Sequence, residues 1–175
     1  EEDSKHLLIR DLKFSHADID KLSKFSNLLL EYNKKYNLIS KSTESSIWFR
    51  HILDSAQLIK HINMKNSTHL SDFGSGGGFP GIILAIYNKN PDFHVKLYEK
   101  SAVKREFLNM VKDSLKIEYE VLENVYSDEI RADIVVSRAF KKLDKIIKIS
   151  REIIKKPHKI IILKGKNAQV EINNV

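Results

Sequence analysis

Hydrophobic side chains recur at every third or fourth position over the first third of the chain. The two runs, residues 19–32 and 47–62, are each typical of a helix with one apolar face. Polar residues separate the runs, and either Ser42 or Thr43 is a suitable cap for the second helix. We therefore predict a helical extension over residues 1–67, which ends in a short linker at 63–67.

From residue 68 onward, short apolar stretches alternate with amphipathic ones. The strands predicted from this pattern are 68–73, 94–99, 119–122, 132–137 and 159–163. The helices predicted between them are 80–88, 102–115 and 143–154. The run at 132–137 is apolar throughout, as expected for a strand that is covered on both faces. This alternation predicts an α/β fold with a doubly wound, mainly parallel sheet of order 3-2-1-4-5, in one unit over residues 68–175.

A glycine-rich segment, residues 72–81, joins the first predicted strand to the helix that follows it. Five of its ten residues are glycine, and glycine is costly inside a helix or strand but suits a turn in which backbone approaches a ligand. Pro80 fits the first helical position because it has no N–H to leave unsatisfied. The segment therefore predicts a cradle for a nucleotide or nucleoside at a helix N-terminus.

The glycines of this segment can be assigned in two frames. From Gly74 the pattern is Asp-x-Gly-x-Gly-x-Gly, which resembles motif I of S-adenosylmethionine-dependent methyltransferases. From Gly76 the pattern is Gly-x-Gly-x-x-Gly, the dinucleotide fingerprint, which needs a strand that runs into Gly76 and a helix that begins near Gly78. Gly74 and Ser75 already end the strand and Pro80 delays the helix, so the first frame is favoured. The loop residues then expected to bind S-adenosylmethionine are Asp72, Gly74, Ser75, Gly76, Gly78 and Phe79.

Two further segments are predicted to complete the cofactor site. Glu99 ends the second strand, 25 positions after Gly74, where a carboxylate can accept both ribose hydroxyls; the alternative is a solvent-exposed strand end. Asp72 either holds the turn or faces the amino group of the ligand through water. Glu123, Asn124 and Val125 follow the third strand, where such folds contact an adenine, although Asn124 is equally a turn residue.

Composition and charge limit the class of protein and its partners. The chain has 175 residues, no cysteine and no apolar run near the ~20 residues that span a bilayer. We expect a cytoplasmic monomer with no membrane segment and no metal. The net charge is +7, but residues 138–166 alone carry +9, from eleven basic and two acidic side chains. This stretch predicts a polyanionic partner, with a solvated lysine face as the alternative.

Polar side chains at the ligand-binding edge of the predicted sheet are candidates for substrate contact. Open α/β sheets bind ligands at the carboxyl ends of their strands, and Ser137-Arg138-Ala139-Phe140 follows the fourth strand. Arg138 is therefore predicted to touch substrate, through a phosphate or a guanine edge. Lys164 ends the neighbouring fifth strand. Lys141, Lys145 and Lys148 belong to the intervening basic helix and are predicted to contact phosphates.

A second polar cluster lies on the predicted helix 47–62. Arg50 and Asp54 are four residues apart, as are His51 and Ser55, so each pair shares a face of an α-helix. An ordinary salt bridge explains the first pair but not a polar stripe in an otherwise apolar helix. The cluster is therefore a second candidate for chemistry.

Five segments in fixed order make a more specific resemblance. They are residues 32–38 (Tyr-Asn-Lys-Lys-Tyr-Asn-Leu), 50–55 (Arg-His-Ile-Leu-Asp-Ser), 72–81, 137–140 and 163–165 (Leu-Lys-Gly). Together they resemble the RsmG (GidB) family of bacterial small-subunit ribosomal RNA methyltransferases, and they span most of the chain. The resemblance implies a Class I (Rossmann-like) fold, S-adenosylmethionine as methyl donor, and methylation of guanine N7 in a decoding-region loop of 16S rRNA or of the small ribosomal subunit.

The resemblance also assigns roles and points to two departures. Arg138, His51, Asp54 and Ser55 are expected to be catalytic, and Arg50 is expected to bind RNA. The family often has an arginine near position 124, where this chain has Asn124, and it usually continues past the fifth strand with a helix and a strand hairpin. The C-terminal end is therefore expected to be shortened or incomplete. Two rival functions are a small-molecule methyltransferase and a non-catalytic RNA-binding module that keeps a vestigial cofactor fold.

Overall fold

A five-stranded, fully parallel sheet organises the chain. The computed structural model describes residues 1–66, 68–126, 130–138, 141–165 and 168–173. The strands are β1 Thr68–Phe73, β2 Phe93–Tyr98, β3 Glu120–Leu122, β4 Ile134–Arg138 and β5 Lys159–Leu163. Their order is β3-β2-β1-β4-β5, and all four pairings are parallel. The predicted fold class, strand order and doubly wound sheet are confirmed.

Helices cover both faces of this sheet. They are α1 Glu2–Leu12, α2 His16–Asn33, α3 Asp54–Ala56, α4 Gly81–Tyr87, α5 Ala102–Leu115, α6 Leu143–Ile153 and α7 Ala168–Asn173. The predicted bounds of α5 are confirmed: Ser101 caps its first turn, and its buried side chains lie on one face, namely Phe107, Leu108, Val111 and Leu115. Pro80 precedes α4 as the N-cap residue instead of opening the helix.

The segment between α2 and β1 differs from the prediction. It forms a 3₁₀ helix at Lys41–Ser46, a π-helix at Trp48–Leu53, the single turn α3 and a second 3₁₀ helix at Gln57–His61. A π-helix has more residues per turn than an α-helix, and it buries His51 together with the apolar residues next to it. The predicted cap is also wrong: Ser40 precedes the 3₁₀ helix, and Thr43 lies inside it. The end of the predicted linker, Ser67, is outside the described residues.

Two hydrophobic clusters lie on opposite faces of the sheet. The larger one joins α1, α2, α4 and α5 to β1 and β2. The smaller one packs residues such as Phe73 and Val135 against Ile149 of α6. The helical extension therefore packs directly on the sheet, and its division from the rest at residue 67 stays a prediction. No helix within the described ranges is both long enough and apolar enough to cross a membrane.

Candidate active site

The glycine loop after β1 is held by backbone hydrogen bonds to β2. Gly74, Gly76 and Gly78 have φ angles of +74°, +56° and +101°, which side-chain-bearing residues rarely adopt. The N–H groups of Gly74 and Ser75 donate to the carbonyl oxygen of Tyr98 over 2.9 and 3.0 Å. Because β1 ends at Phe73 and α4 starts only after Pro80, the loop fits the methyltransferase frame and not the dinucleotide frame.

Asp72 holds the turn, which was one of its two predicted roles. Its side chain is fully buried, and Oδ2 accepts a hydrogen bond from the N–H of Gly81 over 2.9 Å. A Cβ atom at Gly81 would lie 2.7 Å from that oxygen and 2.1 Å from Cδ2 of Leu97, so only glycine fits. Burial raises the pKa of Asp72 to about 7, although the hydrogen bond from Gly81 opposes the shift.

Glu99 joins the glycine loop to α5. Its Oε2 accepts from the N–H of Gly76 over 2.8 Å, and its Oε1 accepts from the N–H of Ser101 over 2.9 Å. Each carboxylate oxygen has a second lone pair, so these bonds leave capacity for ribose hydroxyls. Glu99 is therefore no isolated strand-end carboxylate, and its contact with ribose stays a prediction.

A cavity of about 360 Å³ lies over this loop, within the size range of small-molecule sites. Its wall contains the predicted residues Gly74, Ser75, Gly76, Phe79, Glu99, Val125 and Arg138. It also contains Glu123, which the sequence places in the loop after the third strand, and residues that sequence reasoning missed: Leu38, Gly77, Tyr98, Lys100 and Lys104. A Cβ atom at Gly76 would meet only the carbonyl oxygen of Gly74, at 4.0 Å. The loop therefore leaves open room above its backbone, as a bound nucleoside requires.

Three predicted cofactor residues are not part of this wall. Asp72 and Gly78 support the loop from beneath, and Gly78 has no room for a side chain because Ile82 lies 2.4 Å from the position of an added Cβ. Asn124 accepts a hydrogen bond from the N–H of Tyr126 over 3.0 Å, which fits its alternative role as a turn residue. Any direct contact of Asn124 with adenine stays a prediction.

The missed residue Leu38 reaches the cavity because a buried asparagine holds its backbone. Asn33, at the end of α2, accepts from the N–H groups of Leu38 and Ile39 over 2.8 and 2.9 Å. Its Nδ2 donates to Oε1 of Glu44 over 2.5 Å. A signal for this contact was present in the sequence, because Asn33 and Leu38 both belong to the 32–38 segment that resembles the family. The sequence analysis gave Asn33 no role.

A larger cavity of about 620 Å³ lies elsewhere, between α6, β5 and α7. Isoleucine side chains such as Ile147, Ile160 and Ile172 dominate its wall, and no residue of the glycine loop reaches it. The cavity over the glycine loop contains the Glu99 carboxylate beside the backbone of Gly74, Ser75 and Gly76. That smaller cavity is therefore the candidate cofactor site.

The structure brings Arg138 and His51 together across 87 positions of the chain. Nη1 of Arg138 lies 2.6 Å from Nδ1 of His51 and donates to the carbonyl oxygen of Arg50 over 3.4 Å. The guanidinium lies over the ring of Phe79, 4.9 Å from its centre, and the ring of His51 lies 5.1 Å from that same centre. Arg138 thus lies between the cofactor cavity and the helical extension.

Burial and neighbouring cations keep His51 neutral. Burial, then the charges of Arg138 and Arg50, lowers the pKa of His51 to about 4. Burial also lowers the pKa of Arg138, whereas the carboxylates of Asp54 and Asp72 raise it. These carboxylates favour the charged guanidinium without outweighing burial, and the imidazole contributes hydrogen bonds without charge.

The two pairs predicted to share a helix face make no ion pair or hydrogen bond with each other among the described residues. Arg50 and Asp54 make no ion pair in the described part of the chain, because the π-helix changes their spacing on the helix surface. Oγ of Ser55 is buried without a hydrogen-bond partner among the described residues. The side chain of Arg50 is exposed. Ala139 and Phe140, predicted beside Arg138, lie outside the described residues.

The lysines of the basic stretch lie apart from the cavity over the glycine loop. Lys141, Lys145 and Lys148 are exposed on and before α6. Lys148 lies 3.9 Å from Glu152. Nζ of Lys164 is held by Oε2 of Glu171 at 2.8 Å and donates to the carbonyl oxygen of Lys141 over 3.0 Å. Lys166 is outside the described residues. The RNA contacts of these lysines stay predictions.

The sheet, the glycine loop and the carboxylate at the end of β2 define a Class I, S-adenosylmethionine-dependent methyltransferase. Solved structures share this fold: precorrin-6y C5,15-methyltransferase from Geobacter metallireducens (TM-score 0.52, 12% identity, 78% of this chain and 71% of that one) and a mutant of MtNAS in complex with S-adenosylmethionine (TM-score 0.55, 17% identity, 92% and 66%). At these identities the likeness concerns the fold alone.

Sequence comparison gives the particular family. The family model GidB, rRNA small subunit methyltransferase G, matches residues 18–175. Proteins named ribosomal RNA small subunit methyltransferase G are similar to this chain: one from Pelagibacter ubique is 40% identical (83% of this chain, 70% of that protein), and one from Rickettsia prowazekii is 38% identical (92% and 82%). This chain belongs to the GidB family, and the predicted family membership is confirmed.

Proposed function

We propose that this chain transfers the methyl group of S-adenosylmethionine to N7 of a guanine in 16S rRNA. The observation that carries the proposal is the position of Arg138, which reaches both the cavity over the glycine loop and His51 of the helical extension. Family membership supports the RNA substrate, since the family description names the small-subunit rRNA. The choice of N7 rests on the resemblance described in the sequence analysis.

The chemistry of guanine N7 suits the groups found at this site. Bound S-adenosylmethionine supplies a methyl group on a sulfonium, and N7 has an in-plane lone pair and no proton to lose. No general base is therefore needed. His51 uses Nδ1 for its contact with Arg138, and Asp72 is buried beneath the loop. Neither group is placed as a base, which is consistent with catalysis by alignment alone.

The roles of the individual residues follow from where they lie. The loop from Gly74 to Gly78 cradles the cofactor, Glu99 accepts from its ribose and Val125 contacts its adenine. Arg138 donates to the guanine or to its phosphate, and His51 holds the guanidinium in place. Good alignment of the reacting atoms lowers the activation barrier by roughly 7–11 kcal/mol. Orienting the RNA base is therefore the main task of Arg138.

Phosphate contacts extend this site over the basic surface. Exposed lysines of α6, together with the exposed Arg50, attract the RNA backbone without reading its sequence. We further propose that residues 1–67 act as a helical extension of a methyltransferase domain at 68–175. The protein is proposed to work as a cytoplasmic monomer without a metal.

Three measurements test the proposal: binding of S-adenosylhomocysteine, binding of 16S rRNA, and methyl transfer. Calorimetric titration with S-adenosylhomocysteine is expected to give one site. Tritiated methyl transfer is then measured on naked 16S rRNA and on assembled small subunits, with large-subunit rRNA as the control. Cofactor binding without transfer to either 16S substrate would favour a small-molecule methyltransferase. RNA binding without cofactor affinity would favour a non-catalytic RNA-binding module.

A further inference from the structure

A chain of hydrogen bonds leads from the helical extension to Arg138. Nε2 of His51 lies 2.8 Å from Oγ1 of Thr43, on the side of the ring opposite to Arg138. The hydroxyl of Thr43 in turn donates to the carbonyl oxygen of Ser40 over 2.8 Å. Four residues from two distant parts of the sequence therefore form one continuous chain, from Ser40 through Thr43 and His51 to Arg138.

The chemistry of the two ends sets the direction of every bond in this chain. A guanidinium can only donate, so Nδ1 of His51 must accept from Arg138 and carry no proton. The neutral ring then carries its proton on Nε2, which donates to Oγ1 of Thr43. A carbonyl can only accept, so the hydroxyl proton of Thr43 points to Ser40. The other tautomer would set the N–H of the ring against the N–H of the guanidinium.

Thr43 is the hydrogen-bond acceptor found for Nε2–H of His51 among the described residues. The imidazole is only 8% exposed, and Phe79 covers it on one side. A buried N–H that loses its acceptor keeps its full desolvation penalty. The ring would therefore be free to move its proton to Nδ1 or to turn away, and either change removes the acceptor from Arg138.

The fold of the extension holds Thr43 in place. Thr43 lies in the 3₁₀ helix Lys41–Ser46, and its N–H donates to the same carbonyl of Ser40 over 2.9 Å. The next residue, Glu44, accepts from the buried Asn33 of α2. The turn that carries Thr43 is therefore tied to α2, which is packed in the main hydrophobic cluster.

We propose that Thr43 is a positioning residue, whose hydroxyl holds His51 in the tautomer that orients Arg138 toward the substrate guanine. Thr43 does not touch the reacting atoms. Its effect on methyl transfer rests on the proposed function, whereas its effect on the His51 tautomer does not.

The test compares Thr43→Val, which removes the hydroxyl at constant shape, with Thr43→Ser, which keeps it. Thr68→Val, in β1, is the matched control for loss of a threonine hydroxyl elsewhere. Nitrogen-15 spectra of the imidazole report the tautomer directly. We expect protonated Nε2 and unprotonated Nδ1 in the wild type, Thr43→Ser and Thr68→Val, and a mixed pattern in Thr43→Val.

Methyl transfer to 16S rRNA gives the second readout. Thr43→Val is expected to lower kcat by about tenfold, the effect of one lost, partly buried hydrogen bond, with unchanged affinity for S-adenosylhomocysteine. Thr43→Ser is expected to restore most of kcat. If Thr43→Val does not fold, Thr43→Ala is measured in its place.

The possible results separate a failure of the positioning role from a failure of the proposed function. An unchanged tautomer in Thr43→Val, or a changed tautomer with normal kcat, would overturn the positioning role. A Thr43→Ser variant as slow as Thr43→Val would overturn it as well. A wild-type protein that binds cofactor but methylates no RNA would overturn the proposed function, while the nitrogen spectra still decide whether Thr43 sets the tautomer.

Discussion

In the glycine loop backbone N–H groups donate to acceptors close in sequence, whereas Arg138 makes its contacts with a segment far away in the chain. The N–H groups of Gly74, Gly76 and Gly81 all find acceptors between residues 72 and 99. Arg138 and His51 meet across 87 positions. The first region depends on what the backbone can adopt, and the second depends on how the extension packs on the sheet.

Because the two regions are built from different segments, we expect binding of the methyl donor and transfer of the methyl group to be separable. A change in the loop alters the shape of the cofactor cavity. A change at Arg138 leaves the loop and its hydrogen bonds in place, removes one side chain from the cavity wall and alters how the acceptor is held. The predictions below test whether the two regions behave as independent units.

The largest effect is expected from Gly76→Val. Gly76 has a φ of +56°, where a β-branched residue is strained, and its added side chain would project into the open space above the loop. Affinity for S-adenosylhomocysteine is expected to fall below detection in calorimetry. Gly165→Val is the control, because an added Cβ there has nothing within 4 Å. A folded Gly76→Val variant with normal affinity would remove this loop from the cofactor site.

Arg138→Ala tests the second region alone. We expect methyl transfer to fall by roughly 100-fold, the usual result of a small misplacement at a reacting centre. Affinity for S-adenosylhomocysteine should be retained, and the melting temperature should stay within a few degrees.

Arg138→Lys separates geometry from charge. A lysine ammonium lacks the planar fork of a guanidinium, so rescue is expected to be partial. Full rescue by lysine would mean that only charge matters at this position. Transfer by Arg138→Ala at the wild-type rate would place the substrate elsewhere.

A smaller effect is expected from the lysines of α6. Each phosphate contact contributes about −0.7 to the slope of log affinity against log salt for single-stranded nucleic acid. Replacing Lys141, Lys145 and Lys148 with Gln should therefore make the slope for 16S rRNA shallower by about 2, without a change in cofactor affinity.

The control for the lysine variant carries the same charge change at another place. Lys21, Lys112 and Lys116 surround a cavity beside β3, at the opposite edge of the sheet from β5. Their replacement with Gln should leave the slope unchanged. Equal slopes in the two triple variants would identify the α6 lysines as a solvated surface.

The smallest effects concern the pH dependence of stability, where the two regions should act in opposite directions. The pKa of His51 is lowered from 6.5 to about 4, so the unfolded chain binds the proton more readily. The stabilising contribution of neutral His51 is complete above about pH 6.5 and is lost as the pH falls toward about 4. His51→Asn should abolish this part of the acid destabilisation.

Asp72 should contribute the reverse slope. Its pKa is raised from 3.8 to about 7, so the folded chain binds the proton more readily. Stability from this group is complete below about pH 4 and is lost as the pH rises through about 7. Denaturant unfolding gives the free energy of unfolding at pH 4.5 and at pH 7.5. The loss of stability between these two pH values that is due to Asp72 should be absent in Asp72→Asn, so its free energy of unfolding should fall less than that of the wild type. Parallel pH profiles for the two variants and the wild type would contradict both assignments.

The amino-acid pattern was enough to predict the strands and the cofactor loop. Alternating apolar runs predicted all five strands to within two residues, because a buried parallel strand needs apolar side chains on both faces. The loop from Asp72 to Gly81 was identified because only glycine tolerates its positive φ angles and its close contacts. These are local requirements, and a local pattern of residues expresses them.

The contacts around Arg138 and His51 could be seen only in the tertiary structure. The sequence named Arg138 and His51 as candidates but not as partners, and it paired Arg50 with Asp54 on an α-helix that is a π-helix here. The sequence did not indicate that Leu38 lines the cavity wall. It also did not indicate that Lys164 forms an ion pair with Glu171. Hydrogen bonds between side chains of distant segments depend on how helices pack on the sheet, and helical spacing carries no record of which distant residue each side chain will meet.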